Sequence, residues 1–359
     1  MSKKIYYGLL GILVIIALAI NLKADNSSIT MMYIHIAEHC SNAKMYELSN
    51  FYYTVAQRIN KKTTWLDYNI AKNIVASVWN KPLTTYKQEK LQEAINHLDI
   101  EIAKHPNNAD INAEYAYAYE ALEDYDKAIE YYKKCIEKIP TWQYGYYKLG
   151  YLYSQVKMEY ETALDYINKA LELNPNDNSS IFNKAYILSE LEKYEEAIKY
   201  YKEYLEIYPD SVAALVNISD CEIKIKDCEI KIKDYENAEK HVELGLKYNK
   251  FSSYLISNKM DILLHKHEFE KVKIEYEKML ERNSNSGYIA YFALAEIARY
   301  QGNNEEAENL YKLAKENAKN YYDKYCNNPY DLSDVDGKCK NRYKFLNNFE
   351  EQKRRKLDF

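Results

Sequence analysis

The residues best suited to chemistry lie near the start of the chain. His35-Ile36-Ala37-Glu38-His39 has the spacing H-x-x-E-H, followed directly by Cys40. On a helix the two imidazoles would share a face at i and i+4, the spacing of a zinc pattern. A catalytic zinc also needs a third ligand and a coordination position open to water, and the sequence points to neither. An ordinary surface helix is the expectation, and a zinc metalloenzyme using His35, Glu38 and His39 is the alternative. His265 and His267 are i, i+2 and would not face each other on a helix. Asp331–Lys338 reads D-L-S-D-V-D-G-K. A calcium-loop register anchored on Gly337 puts Leu332 where the first Asp belongs and Tyr343 where the bidentate Glu belongs, so a polar capped turn is expected. Phosphate chemistry fares no better. Tyr151 and Leu152 follow Gly145 and Gly150 where a phosphate loop requires Lys and Ser/Thr, and no three glycines cluster as a dinucleotide site requires. No nucleophile–base pair or paired-carboxylate constellation can be placed. The expectation is a chain that is not an enzyme and holds neither cofactor nor metal.

Six cysteines are present, at 40, 135, 221, 228, 326 and 339. Cys221 and Cys228 are copies of one position, because Asp220–Lys226 and Asp227–Lys233 both read D-C-E-I-K-I-K. Cys326 and Cys339 flank the turn chemistry of Asn327-Asn328-Pro329 and Asp336-Gly337. In an oxidising compartment they are the expected disulfide, the alternative being two free thiols in a C-terminal cap. Lys353-Arg354-Arg355-Lys356 reads as a solvated helix terminus.

The elements that must position such residues are helical. Only 8 glycines and 6 prolines occur among 359 residues, against 40 tyrosines. Turn-dense β-sandwiches and barrels need more of both. A net charge of −5 gives no basic field for nucleic acid. Four prolines, Pro106, Pro140, Pro175 and Pro209, are spaced by 34, 35 and 34, and Ala94, Ala128, Ala163 and Ala197 keep the same steps. Around those alanines recur amphipathic blocks beginning Tyr125-Asp126-Lys127-Ala128, Tyr160-Glu161-Thr162-Ala163 and Tyr194-Glu195-Glu196-Ala197. Apolar residues return in them at i+3, i+4 and i+7, and each block is closed by a proline.

This pattern resembles the tetratricopeptide repeat, a 34-residue helix–turn–helix unit. The family places small residues where its two helices cross. Ala116, Ala128 and Cys135 supply them in one repeat, Gly150, Ala163 and Ala170 in the next, and Ala185 and Ala197 in a third, where Tyr204 departs from the pattern. Ser219, Ala238 and Gly245 form a fourth set, and Ala295, Ala307 and Ala314 a sixth. Met260, Val272 and Met279 stand in the fifth, where looser packing is expected. The resemblance implies an all-α, right-handed superhelical solenoid of about six to seven repeats over residues 64–318. An N-terminal extension at 25–63 would precede it, with packing on the first repeat preferred to a stalk, and a cap at 319–359 would follow. From Ala197 to Ala238 the step is 41, which is 34 plus the heptad duplicated at 220–233. Seven residues make nearly two turns, so the fourth repeat's first helix is expected to lengthen in phase by about 10 Å.

Ahead of all this, Lys3 and Lys4 precede an apolar run from Ile5 to Leu22. One apolar helix is expected there, as a single-pass anchor with its N-terminus inside or as a signal at 1–24 cleaved near Ala24. Either leaves the remainder outside the cytoplasm, held on the membrane through residues 5–22 or secreted or periplasmic. The resemblance also implies a groove lined by first helices. Tyr117, Tyr144, Tyr147, Tyr151, Phe182 and Tyr186 fall on it early, and Asp220, Tyr254, Asp261, Glu296 and Arg299 later. Family members that bind acidic chaperone C-termini use groove Lys and Asn, which are missing from the matching places here. The expected function is a non-enzymatic scaffold or adaptor that binds a protein or peptide segment in the groove, within an envelope or secretory assembly. A glycan-binding module using the groove tyrosines is the other reading.

Overall fold

The computed structural model describes residues 26–225, 235–250, 252–281 and 287–322, with 345, 346 and 349. The apolar run at 5–22, the second heptad copy, Cys326, Cys339, the stretch 331–338 and the basic cluster 353–356 lie outside the described residues. Among the described residues there are 16 α-helices, one π-helical segment and no strand. The chain divides into two compact units at Leu152 and Tyr153.

The first unit holds α1 (Asn26–Asn42), α2 (Tyr46–Ile59), α3 (Leu66–Val78), α4 (Thr85–Lys104), α5 (Ala109–Ala121), α6 (Tyr125–Lys138) and α7 (Gln143–Leu152). Helices α1 and α2 pack against the repeats rather than leaving them. The buried Asn73 of α3 donates to Ser49 Oγ at 2.9 Å and to Asn50 Oδ1 at 2.8 Å on α2, and accepts from Ser41 of α1 at 2.6 Å. Leu91, Leu98, Ile111 and Ala118 form the middle of the core, fully buried.

The second unit opens with the π segment Tyr153–Lys157. It continues with α8 (Tyr160–Leu173), α9 (Asn178–Glu190), α10 (Tyr194–Ile207), α11 (Val212–Lys224), α12 (Tyr235–Tyr248), α13 (Ser253–His265), α14 (Phe269–Glu281), α15 (Gly287–Tyr300) and α16 (Asn304–Tyr321). The π segment accounts for the 35-residue step between Pro140 and Pro175. Gly150 to Ala163 spans 13 residues, where Ala116 to Ala128 spans 12. A π turn absorbs one extra residue without ending the helical path.

The prolines act as the periodicity requires. Helices α4, α6, α8 and α10 end at Lys104, Lys138, Leu173 and Ile207, each two residues before a proline. Two residues beyond three of those prolines, Asn108, Asp177 and Ser211 cap the next helix by accepting the backbone N–H of Ile111, Ser180 and Ala214. Each proline therefore stops one helix, and the cap after it satisfies orphan N–H groups of the next.

The expected in-phase lengthening of α11 is not seen among the described residues. Helix α11 ends at Lys224 after 13 residues, the length of α5 and α9, because Ile225 turns to ψ 109°. Three residues separate α5 from α6 and α9 from α10, whereas ten separate α11 from α12. Helix α12 is described from Tyr235, in the register of α6, α8 and α10, which begin at Tyr125, Tyr160 and Tyr194. A corner tolerates the insertion because no crossing position has to move.

Ala116, Ala128, Gly150, Ala163, Ala170, Ala185, Ala197, Ala238, Ala295 and Ala307 are all buried, as are Cys135, Ser219, Gly245 and Ala314. Met260 and Val272, in place of small residues, are also fully buried. Tyr204 is accommodated at the edge of α10, its ring 5.1 Å from Phe182 and 4.9 Å from Tyr208.

Candidate functional site

In the first unit α3, α5 and α7 bring a run of aromatic rings together. Trp79, directly after α3, meets Tyr117 of α5 edge-on at 6.1 Å between centroids. Tyr117 lies 6.4 Å from Tyr144, Tyr144 5.7 Å from Tyr147, and Tyr147 6.4 Å from Tyr151. Tyr144, Tyr147 and Tyr151 are at i, i+3 and i+7 on α7, one face of the helix. Tyr144 and Tyr151 are 41% and 37% exposed, and Tyr117 and Tyr147 are half-buried. Four residues singled out on the sequence thus share one surface.

Trp79 and Trp142 belong to that surface and were not expected there. Trp142 lies 6.0 Å from Tyr144. Its place follows from Gly145, because a Cβ at that position would fall 2.4 Å from the indole. The missed signal was a glycine three residues after a tryptophan.

Beneath the rings lies a polar pair. The Lys148 ammonium of α7 meets the Glu120 carboxylate of α5, and the Tyr132 hydroxyl of α6 donates to Glu120 at 2.7 Å. Lys148 Nζ also lies 5.3 Å from the Tyr151 ring centroid. The Lys148 charge is thereby paired, and the residues whose rings form the surface are themselves uncharged.

Phe182 and Tyr186 lie on α9, in the second unit. Phe182 packs edge-on against Tyr201 at 5.7 Å and against Tyr204. Burial first, and Glu190 second, raises the Tyr186 hydroxyl above its ordinary range. The acidic residues of later first helices also lie in this unit. Asp220 pairs with Lys224 at 2.7 Å. Burial pushes the Asp261 carboxyl up to about 7, with Asp220 adding to the shift and Lys224 opposing it. Glu296 is buried between the Arg299 guanidinium, at 2.5 Å, and the Tyr311 hydroxyl, and burial pushes it too up to about 7.

The H-x-x-E-H segment lies on α1. His35 Nδ1 is 3.3 Å from Glu38 Oε2, both side chains well exposed, while Cys40 is fully buried and so faces the other way. Among the described residues no group of three or more His, Cys, Asp or Glu side chains is placed to hold a metal ion. Nor is any helix among them long and apolar enough to cross a membrane.

Sequence profiles of the tetratricopeptide repeat match residues 84–141, 144–177, 180–211 and 290–320. No curated protein matches the chain. Among solved structures, a tetratricopeptide repeat protein from Parabacteroides merdae is 17% identical over 72% of this chain and 94% of its own, with a TM-score of 0.49. YrrB, described as a TPR protein with an unusual peptide-binding site, is 20% identical over 58% of this chain and 97% of its own, with a TM-score of 0.48. PilW, a type IV pilus biogenesis factor, is 13% identical over 60% and 93%, also at 0.48. Between the third and fourth matched segments, α11–α14 continue the alternation of paired helices. The four matched segments of this chain are tetratricopeptide repeats.

Proposed function

We propose that the chain is a non-enzymatic scaffold that binds a protein segment against the aromatic face of α3, α5 and α7. The observation that carries this reading is the contiguous ring surface from Trp79 to Tyr151. Aromatic side chains supply large contact area at small entropy cost, as at protein interfaces. Neighbouring rings are tilted by 37° to 90° rather than laid in one plane, which suits an irregular peptide surface better than flat sugar faces. The apolar run at 5–22 supports a place outside the cytoplasm, held at or exported across a membrane, where such a scaffold would serve an envelope or secretory assembly. The test is affinity capture from native membranes with the wild-type chain and with Tyr147→Ala/Tyr151→Ala. The double variant should lose the captured protein while keeping its helical circular dichroism. Unchanged capture, or retention of isolated wall polysaccharide instead of protein, would overturn the reading.

A further inference from the structure

One carboxylate beside the ring surface has no partner. Glu114 of α5 is 6% exposed, and among the described residues nothing hydrogen-bonds or ion-pairs to it. Its electrostatic neighbours are Asp110 on its own helix and Lys72 and Tyr68 on α3, with Tyr117 one turn further along α5. Asp110, Glu114 and Tyr117 are at i, i+4 and i+7 and share a helix face. Lys72 is exposed and near enough to favour the charged carboxylate, yet forms no ion pair with it. Two carboxylates and one ammonium thus lie within electrostatic reach of two tyrosines.

A buried carboxylate without a partner is unfavourable and is ordinarily paired or protonated. Burial, with Asp110 adding and Lys72 opposing, pushes Glu114 up to about 7. A cation arriving between α3 and α5 would supply the missing partner, and tyrosine faces attract cations in their own right. The site adjoins Tyr117, where the ring surface begins.

We propose that Glu114 and Asp110, beside Tyr68 and Tyr117, form a subsite for the ammonium or guanidinium of a lysine or arginine in the bound segment. This rests on the reading of the ring surface as a peptide site and adds the charge of its ligand. The occupant is then an apolar or aromatic stretch with a basic residue at one end. Charge complementarity selects it, because the two carboxylates Asp110 and Glu114 outnumber the single ammonium of Lys72 beside the rings.

The probe is a random octapeptide library panned against the full chain. Wild-type protein should enrich apolar or aromatic stretches with Lys or Arg at one fixed place. Glu114→Gln should keep the apolar preference and lose the basic one, and Asp110→Asn should weaken it. Tyr117→Ala/Tyr144→Ala should enrich nothing. For the best peptide, affinity should rise roughly tenfold between pH 6 and pH 8 as Glu114 ionises, and Glu114→Gln or norleucine in place of the basic residue should flatten that rise. Peptides enriched without a basic residue, or an unchanged preference and pH profile in Glu114→Gln, would overturn the subsite while leaving the ring surface standing. Failure of wild-type protein to enrich any sequence would overturn both.

Discussion

Lys148 of α7 and Glu120 of α5 form an ion pair whose side chains are 9% and 12% exposed, and Tyr132 of α6 donates to the same carboxylate. Three helices from two successive repeats therefore share one nearly buried charge pair beneath the aromatic face. Removing one partner of such a pair leaves an uncompensated charge, whereas replacing both can be close to neutral. Lys148→Met should destabilise the chain by about 3 kcal/mol in urea titration. Adding Glu120→Gln, which leaves an acceptor for the Tyr132 hydroxyl, should recover most of that loss. Equal losses in the single and double variants would show that the pair contributes only as packing.

The heptad copy offers a cleaner test of how the repeats are built. Deleting residues 227–233 restores the three-residue spacing between α11 and α12 seen at the other corners. The crossing residues Ser219 and Ala238 keep their helices and their burial. The deleted chain should have an unchanged helical signal and a stability within about 1 kcal/mol of the parent. Deleting a single residue inside α9, which rotates every later side chain off its face, should instead collapse cooperative unfolding of the second unit. Loss of folding on deletion of the heptad would show that it has become part of the core.

Phe345 and Phe349 pack on Tyr288, Phe292 and Tyr311 of the last repeat, with centroid distances from 4.7 to 6.3 Å. In the third repeat the corresponding rings, Phe182 and Tyr201, lie in a cluster with Ala214 and Ile218 of the next first helix. The two phenylalanines occupy the matching place against the rings of α15 and α16. Repeat arrays exchange energy mainly between neighbours. Phe349→Ala should therefore cost about 3 kcal/mol and speed hydrogen exchange in α15 and α16, leaving α3–α6 unchanged. Uniform acceleration along the chain would contradict this local reading.

Much of this fold was legible in the sequence because the signals were redundant. Pro106, Pro140, Pro175 and Pro209 marked helix ends, and the alanines marked crossings, so each confirmed the other's phase. The corners were not legible. A left-handed residue ordinarily calls for glycine, yet Lys44, Glu123, Glu192 and His267 hold φ between 57° and 62° at their corners, and Gly302 alone follows the rule among the described helix corners. Glycine scarcity therefore pointed to helices without marking their corners, where the tertiary packing of paired helices holds unfavourable residues in αL. The heptad misled for a related reason. In-phase periodicity permits a longer helix but does not require one, and the turn at Ile225 prevailed. At the candidate site, the tyrosines of α7 were placed by the resemblance to the repeat family, and their i, i+3, i+7 spacing agrees with it. Trp79 and the solitude of Glu114 depend on which helices become neighbours, which one chain read in order does not disclose.

The buried acids set the pH behaviour of the whole chain. Burial pushes Glu114, Asp261 and Glu296 up to about 7, while their ordinary values are 4.5, 3.8 and 4.5. Between those values the native state binds more protons than the unfolded chain, so stability falls as pH rises through this window. Asp67 acts in the opposite sense. Burial would raise it, but hydrogen bonds from His97, Gln57 and Lys104 outweigh burial and hold it below its usual value of 3.8. Its contribution is present above that pH and is lost as the pH falls further. The two trends place maximum stability near pH 4, so that Tm declines from pH 5 to pH 8. Glu114→Gln removes one raised group and should recover about 2 kcal/mol at pH 8 while changing little at pH 5. Calorimetry at the two pH values reads the difference directly. A Tm that climbs steadily from pH 5 to pH 8 would mean that these carboxylates are ionised and paired in the native chain.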